Sequence, residues 1–418
     1  MKSVSALRSG LFPVLLVISA CLPLTAQPTA GSIVTRAAPL FGPAIIDAAG
    51  NLYSAGNSVP GQYAVTPGAA QTQPGGGTNC VDEGLPGQPC TDAYIIKVDS
   101  AGNTVFATYL GGPTADNAAT LAVDTAGEVF VAGTTGGSFP TTANAALVTI
   151  PASGTFVAKL NANGSKMIYS TYLPASMATV SAMALDPDGN VYVTGTSSTG
   201  HVAVVKLSPD GSAFIYYQEL AGSGQDAGTA IAVDAGGNAA IAGSTTSADF
   251  PVSAGSLQPH LLGAQNAFVA ELGTGGNVVF STYLGGSGSD AASSVQIDAA
   301  GNTYVAGSTT SMDLPTTQGV FQPAPMVPMW ATSPGGFVAK LVPGGSSLAY
   351  ASYVMSDAAL VLSPYVVPGV AGLAVDSQGE VYLDGVTGAG FSVTASAPQA
   401  CFGGSRDVLY STWMHRAV

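Results

Sequence analysis

Short apolar runs alternate with glycine-containing turns along most of the chain. A recurring segment reads Asp-x-x-Gly-Asn/Glu, and an apolar run lies on each side of it, as in Leu121–Val123 before Asp124 and Val129–Gly133 after it. Asp favours the first position of a type I turn and Gly the fourth, so each copy predicts a β-hairpin. The six copies begin at Asp47, Asp124, Asp186, Asp234, Asp298 and Asp376.

A second hairpin follows the first in most copies. Its strands read Phe-Val-Ala-Lys/Glu-Leu and Tyr/Phe-Ser-Thr-Tyr-Leu, as in Phe268–Leu272 and Phe280–Leu284. The inner runs are apolar at successive positions, which is typical of strands buried on both faces. Four-stranded units that repeat and pack on their neighbours predict an all-β fold, a β-propeller of six four-stranded blades.

The order of these motifs resembles the bacterial SBBP (β-propeller) repeat family. The resemblance rests on Asp-x-x-Gly-Asn-x-Tyr-Val-x-Gly, the segment from Asp249-Phe250-Pro251 to Gln258, Phe-Val-Ala-Lys-Leu, and Tyr-Ser-Thr-Tyr-Leu-Gly-Gly. It covers nearly all of 44–418 and is clearest over 226–298 and 298–354. It implies a propeller fold and an envelope or extracellular setting, and it brings no general activity. The third unit departs from the pattern, because it lacks the Phe-Pro segment.

Closure of the ring depends on the sixth unit, which ends soon after 408–414. Residues 28–43 contain Ser32–Thr35, and we expect this N-terminal segment to supply the outer strand that the sixth unit lacks, which would close the ring and cover an edge. The alternative aligns Tyr410–Trp413 with Tyr-Ser-Thr-Tyr and makes the last unit self-contained.

The N-terminus has the plan of a secretory signal. Lys2 and Arg8 precede an apolar run, Leu11–Leu24, which is shorter than the roughly 20 residues that a membrane-spanning helix needs. We therefore predict a signal peptide over 1–26, a single propeller domain over 27–418, no transmembrane span, and a secreted or cell-envelope location. A lipoprotein box over Ile18–Cys21 is the alternative, and it would place a lipid anchor on Cys21.

Charge and composition exclude one class of partner. The chain has 10 basic and 24 acidic residues, a net charge of −14, and this charge repels phosphate backbones. Nucleic acid is therefore not an expected partner.

Export makes the cysteines that follow the signal eligible for disulfides. Cys80 and Cys90 flank a loop-like segment, and a local disulfide bond between them is the simplest pairing. A bond from Cys401 to either of them remains an alternative.

Three acidic residues form the candidate binding site. Asp116, Asp226 and Asp290 each lie eight residues before a repeat Asp, in Gly-rich connections that a propeller places near the mouth of its channel. They could converge there on a cation, and Ca²⁺ is the ion that oxygen ligands suit, or each could accept backbone N–H bonds in its own loop. Ala178 holds the equivalent place in another unit. No cofactor is otherwise expected.

One further charged position recurs in the units. Lys97, Lys159, Lys206, Glu271 and Lys340 share a strand position, and we expect them to be gatekeeping charges on a solvent-facing strand.

Catalysis has little support in the sequence. His201, His260 and His415 occupy unrelated places in their units, and no His accompanies a Ser or Cys motif. The function predicted is a non-catalytic scaffold that binds an unidentified protein or glycan or contributes to the envelope. The alternative is a propeller hydrolase or lyase that acts on extracellular polysaccharide through paired carboxyl groups.

Overall fold

The computed structural model describes residues 42–59, 61–77, 89–150, 153–325, 335–355, 369–387 and 407–413. Within these ranges the regular structure is β-strand, and no helix occurs, so none is present there that could cross a membrane. The strands of the described ranges form six antiparallel sheets, of which five have four strands and one has three. The all-β prediction is confirmed for these ranges, and the repeated four-stranded sheets are consistent with a propeller.

The sheets are numbered 1 to 6 along the chain. Sheet 1 contains β1 (Ala44–Ile46), β2 (Leu52–Ser58), β3 (Asp92–Val98) and β4 (Thr104–Leu110). Sheet 2 contains β5 (Asp116–Val123), β6 (Val129–Thr135), β7 (Gly154–Leu160) and β8 (Met167–Tyr172). Sheet 3 contains β9 (Ala182–Leu185), β10 (Val191–Thr196), β11 (Val202–Leu207) and β12 (Phe214–Leu220).

The second half of the chain continues the same order. Sheet 4 contains β13 (Asp226–Val233), β14 (Ala239–Thr245), β15 (Asn266–Leu272) and β16 (Val278–Leu284). Sheet 5 contains β17 (Asp290–Ile297), β18 (Thr303–Thr309), β19 (Gly335–Leu341) and β20 (Leu348–Val354). Sheet 6 contains β21 (Gly369–Val375), β22 (Val381–Thr387) and β23 (Asp407–Trp413).

The repeat Asp residues hold the turns between first and second strands. Asp298 Oδ1 accepts the N–H groups of Ala300 and Asn302 at 3.0 and 2.9 Å, and its Oδ2 accepts the Asn302 amide at 2.8 Å. Gly301 has φ of +80°, a conformation that Gly adopts without steric cost. All six repeat Asp residues accept the corresponding pair of N–H groups, which confirms the predicted turn role.

The hydrophobic cores lie between consecutive sheets. Val269 and Phe280 of sheet 4 share one core with Val305 and Phe337 of sheet 5, and sheets 1 with 2, 2 with 3, 3 with 4 and 5 with 6 share others. From sheet 2 onward, the first strand of each sheet packs on strands of the sheet before it. Each inner sheet is thus buried on both faces, which explains its successive apolar residues.

A ring-to-glycine contact recurs between neighbouring sheets. Gly164, in the turn between β7 and β8, lies so close to the Phe106 ring of sheet 1 that an added Cβ would fall 2.2 Å from it. The same contact joins Gly211 to Tyr169, Gly276 to Tyr216 and Gly345 to Phe280. A side chain at these glycines would displace the ring of the preceding sheet.

The lysines at the shared strand position are not solvent-facing gatekeepers, and that prediction is wrong. Lys206 is only 6% exposed, lies 4.8 Å from the centroid of the Tyr192 ring, and pairs with Asp186 at 3.7 Å. Lys97, Lys159 and Lys340 also lie over rings, at 4.6 to 4.8 Å. The aromatic ring on the neighbouring strand attracts the lysine ammonium group and holds it over the ring face. In sheet 4 the place of the ring is taken by Ala240, and the residue opposite is Glu271.

Sheet 6 differs from the self-contained unit considered above. Tyr410–Trp413 lie in β23, which pairs with β22 and therefore holds the third-strand position, so their alignment with a fourth strand is wrong. Residues 1–41, which include the predicted signal peptide, Cys21 and the predicted closing strand, lie outside the described residues. Cys80 and Cys401 also lie outside them, whereas Cys90 is described and buried. The predicted Cys80–Cys90 bond remains a prediction.

Candidate functional site

The three predicted carboxylates begin the first strands of three different sheets. Asp116, Asp226 and Asp290 start β5, β13 and β17, and each is 1% exposed or less. Each lies where its sheet meets the sheet before it, so the structure places them at three separate junctions. Within the described ranges, no three His, Cys, Asp or Glu side chains are grouped to hold a metal ion.

Asp290 shows the most complete set of partners. Its carboxylate accepts the Gly286 N–H at 2.9 Å, the Thr309 hydroxyl at 2.5 Å and the Ser311 hydroxyl at 2.9 Å. The amide of Asn266, the first residue of β15 in sheet 4, donates to its Oδ2 at 3.0 Å. The Asn266 amide also donates to the Gly286 carbonyl at 2.9 Å, so one side chain ties sheet 4 to the start of sheet 5.

Asp226 repeats the arrangement with a different donor. It accepts the Gly222 N–H at 2.9 Å, the Thr245 hydroxyl at 2.5 Å and the Ser247 hydroxyl at 2.8 Å. The residue that reaches it from the preceding sheet is His201, whose Nδ1 lies 3.1 Å from Asp226 Oδ2. The imidazole thus takes the place of the amide.

The third junction brings two carboxyl groups together. Asp116 Oδ2 accepts the Gly112 N–H at 2.6 Å, and Asp92 Oδ2 accepts the Gly75 N–H at 2.6 Å. A Cβ on Gly111 would lie 2.4 Å from Asp92 Oδ1 and 2.8 Å from Asp116 Oδ2, so both carboxyl groups approach the same point. Asp92 Oδ1 is buried without a hydrogen-bond partner.

Burial controls the ionisation of this pair. Burial, and to a smaller extent the Asp116 charge, raises the pKa of Asp92 to about 6, against the lowering effect of the bond from the Gly75 N–H. Burial also raises the pKa of Asp116 to about 6, against the lowering effects of the nearby Thr135 hydroxyl and of the bond from the Gly112 N–H. Because burial and a nearby like charge both disfavour the ionised form, each of these carboxyl groups holds its proton to a higher pH than a free aspartic acid does.

The residues that face the junction carboxylates were not anticipated from the sequence. Asn266 precedes Asp290 by 24 positions and His201 precedes Asp226 by 25. Asp92 stands in the same place before Asp116. The signal in the sequence is therefore a polar residue at this distance, but its type changes at every junction. Between sheets 2 and 3, where Ala178 replaces the carboxylate, the Thr155 hydroxyl donates to the Met177 carbonyl at 3.1 Å instead.

The chemistry open to this site follows from its burial. Paired carboxyl groups with raised pKa values can act in glycoside hydrolysis when a sugar reaches them. Asp92 and Asp116 are 1% and 0% exposed, so in this conformation no sugar reaches them. The arrangement fastens one sheet to the next. Ligand binding by Asp116, Asp226 and Asp290 remains a prediction.

Three segments of the chain match a family model described as a beta-propeller repeat, SBBP: residues 105–140, 168–201 and 279–315. The resemblance inferred from the motifs is confirmed at these segments. Each of them begins in the fourth strand of one sheet and ends just after the second strand of the next.

Comparison with curated proteins found no match. Among solved structures, one described as "Structure of Dos1 propeller" is 11% identical and aligns over 71% of this chain and 72% of that chain, with a TM-score of 0.36. A TM-score of that size does not establish a shared architecture.

Proposed function

We propose that this chain, three segments of which match the beta-propeller repeat, is an exported six-bladed propeller that acts as a non-catalytic binding scaffold at the cell envelope. Its partner would be a protein or a glycan. The proposal extends the repeated-sheet fold, which suggests a binding or scaffold role, to a cellular setting and a mode of action.

One observation carries the scaffold role. The charged side chains of the repeat named below make hydrogen bonds and ion pairs that stabilise the sheets and their turns. The repeat Asp residues cap turns, Asp226 and Asp290 are each held by several donors, and Lys206 bridges Asp186 and a ring. A framework that uses its polar groups in this way presents loops and edges to partners on a rigid support.

Closure by an exchanged strand is supported by the phase of the repeat. Because the matched segments begin in a fourth strand, a further unit in this phase would begin with a strand that precedes β1. Sheet 6 is the sheet with no fourth strand among the described residues. A strand from 28–43 would complete it and remove its open edge.

Export is supported by the N-terminal pattern. Lys2 and Arg8, an apolar run and a small-residue exit at Ala26 are the parts of a secretory signal. A lipid on Cys21 would hold the same propeller on a membrane surface.

The test uses the mature chain and isolated envelope polymers. The chain is mixed with purified cell-wall polysaccharide and with envelope protein fractions, and both binding and product release are measured. We expect saturable binding with no new reducing ends and no unsaturated sugar product. Release of either product, in proportion to the amount of chain, would replace the scaffold with the hydrolase or lyase.

A further inference from the structure

Four of the sheets cover the outer edge of their fourth strand with the connection between their second and third strands. In sheet 4, the Ser253 N–H donates to the Ser281 carbonyl at 2.9 Å, and the Ser253 hydroxyl accepts the Ser281 N–H at 2.9 Å. Five residues later, the Gln258 backbone carbonyl accepts the Tyr283 N–H at 3.2 Å, and its side-chain Oε1 accepts the Gly285 N–H at 3.1 Å. Ser253 and Gln258 thus bond the outward-facing backbone groups at this edge of sheet 4.

The same spacing recurs in the other covered sheets. The covering pairs are Thr66 with Gln71 in sheet 1, Thr142 with Leu147 in sheet 2 and Thr317 with Gln322 in sheet 5. Gly occupies the second position after the Ser or Thr in three of the four segments and has positive φ there, at Gly68, Gly255 and Gly319. The covering sequence is therefore Ser/Thr-x-Gly-x-x-Gln in its commonest form.

The covering segments also reach the next sheet. The Leu257 N–H, one position before the Gln, donates to the Gly345 carbonyl of sheet 5 at 3.2 Å. Ala70 and Ala146 make the same bond to Gly164 and Gly211. The covers of sheets 1, 2 and 4 therefore bridge their own outer strand and the turn of the following sheet.

Sheet 3 has no such cover among the described residues. Its second and third strands are joined by a tight turn in which the Gly200 N–H donates to the Ser197 carbonyl at 3.0 Å, too short a connection to reach β12. The residues that would hold a cover are also changed. Glu219 stands in the place of Tyr283, and Ala203 stands in the place of Phe268. Tyr217 to Glu219 are partly exposed, whereas their counterparts in sheet 4 are fully buried.

Alignment of β12 with β16 identifies the backbone groups left open. The register places Tyr217 where Ser281 stands and Glu219 where Tyr283 stands. Among the described residues, no segment outside the sheet bonds the Tyr217 N–H and carbonyl, the Glu219 N–H or the Ala221 N–H, and none bonds the Gly276 carbonyl of sheet 4. The Glu219 carbonyl is already occupied, because the Gln218 amide donates to it at 2.8 Å.

We propose that this edge, formed by Tyr217, Glu219, Ala221 and the turn at Gly276, binds a segment of another polypeptide that carries Ser/Thr-x-Gly-x-x-Gln. The inference rests on the proposed scaffold function and names its partner class. The Ser or Thr would pair with the Tyr217 N–H and carbonyl. The residue before the Gln would donate to the Gly276 carbonyl, and the Gln would accept the Glu219 and Ala221 N–H groups.

The four covered sheets are the reason for this choice of occupant, since they show which sequence satisfies this edge. A segment that adds main-chain hydrogen bonds to an exposed sheet edge is a general mode of peptide recognition. A second copy of this chain is a poorer occupant, because its own covering segments are bonded to their own sheets.

The experiment uses a fluorescent synthetic peptide with the sequence of residues 249–260, which contains Ser253 and Gln258, and the mature chain. We expect saturable binding of one peptide per chain, measured by fluorescence anisotropy. Hydrogen exchange gives the location. In the free chain the Tyr217, Glu219 and Ala221 amides should exchange at least about tenfold faster than those of Ser281, Tyr283 and Gly285, and the peptide should remove most of that difference.

Control peptides distinguish specific hydrogen bonding at the β12 edge from non-specific adsorption of the peptide. Ser253→Val in the peptide removes the hydroxyl acceptor, and N-methylation at the Leu257 position removes the donor to Gly276. We expect each change to weaken binding at least about tenfold, since a directional hydrogen bond is lost and its partner stays unsatisfied. Equal binding by a scrambled peptide, or no binding at millimolar peptide, would refute the proposal. Slow exchange at Tyr217 in the free chain, or dimers that protect β12, would also refute it.

The two proposals can fail separately. If the chain binds envelope material and the peptide does not bind, the edge proposal fails and the scaffold function stands. If the peptide protects β12 while the chain cleaves polysaccharide, the non-catalytic scaffold fails and the edge proposal stands.

Discussion

Two junctions of this molecule have the same backbone and opposite chemistry. At the junction of sheets 4 and 5, the Asn266 amide donates to Asp290, and every partner of the buried carboxylate is a donor. At the junction of sheets 1 and 2, Asp92 stands in the place of Asn266 and brings a second buried carboxyl group to Asp116. At this junction an acid replaces the amide, Gly137 replaces the hydroxyl donor Ser311, and Asp116 Oδ1 is buried without a hydrogen-bond partner, so the contact depends on a proton.

The largest effect is expected when the acid is introduced at the satisfied junction. Asn266→Asp keeps the size of the side chain but removes the donor to Asp290 and to the Gly286 carbonyl. We expect a loss of about 3 kcal/mol of unfolding free energy at neutral pH, since a buried charge loses its partner and gains a like charge. Urea denaturation at neutral and mildly acidic pH measures it, and part of the loss should return in acid.

The control for this substitution is Asn144→Asp, an exposed residue in the cover of sheet 2. It should change the unfolding free energy by less than about 0.5 kcal/mol. Equal losses of unfolding free energy in the two variants would show that the junction does not require an amide at this position.

The reverse change should stabilise the other junction. Asp92→Asn restores the amide that Asn266 provides, and its oxygen can still accept the Gly75 N–H. We expect a gain of about 2 kcal/mol above pH 7. Asp188→Asn, at an exposed site, is the matched control. Destabilisation by Asp92→Asn at this pH would contradict the interpretation that the stability of the Asp92–Asp116 pair depends on protonation.

The same variant should change the pH dependence. Because the pKa values of Asp92 and Asp116 are raised to about 6, the folded chain binds protons between about pH 4 and 6 that the unfolded chain releases. The contribution of the pair to stability is thus fully present below about pH 4 and is lost as the pH rises through about 6. Asp92→Asn should flatten this part of the curve in thermal unfolding followed by circular dichroism.

A smaller effect is expected at the junction of sheets 3 and 4. His201→Ala removes the partner of Asp226 on one side and leaves the bonds from Gly222, Thr245 and Ser247. We expect a loss of about 1 kcal/mol, and His201→Asn should recover part of it because an amide can donate in the same place. A double-mutant cycle with Asp226→Asn measures the coupling, and a coupling of zero would place the effect elsewhere.

The smallest effect is expected from calcium. The carboxylates of Asp226 and Asp290 already accept several donors, and each lies at its own junction. We expect the melting temperature of the mature chain to move by less than about 1 °C on addition of calcium. A shift of several degrees that is lost in Asp116→Asn, Asp226→Asn and Asp290→Asn would establish the shared cation site instead.

The sequence predicted the parts of the fold that depend on local chemistry. The Asp-x-x-Gly turns and the apolar runs are local signals, and the structure has hairpins and buried strands at these places. The burial of Lys206 was missed because the alternation of apolar and polar residues along one strand does not show that the Tyr192 ring lies next to it on the neighbouring strand. The partners of the junction carboxylates were missed for another reason. Asp92, His201 and Asn266 occupy equivalent positions in their sheets but are residues of three different types.

The ring-to-glycine contacts described above all point the same way along the chain, from the outer strand of one sheet to a turn of the next. Such a contact is heterologous, because the two surfaces that meet are different and each unit carries one of each. Units joined in this way form a ring when the rotation between them closes and an open filament when it does not. Deletion of one complete unit should therefore not give a smaller monomer. In the proposed closed propeller, it should leave two complementary surfaces unsatisfied and convert a self-limiting molecule into one that polymerises.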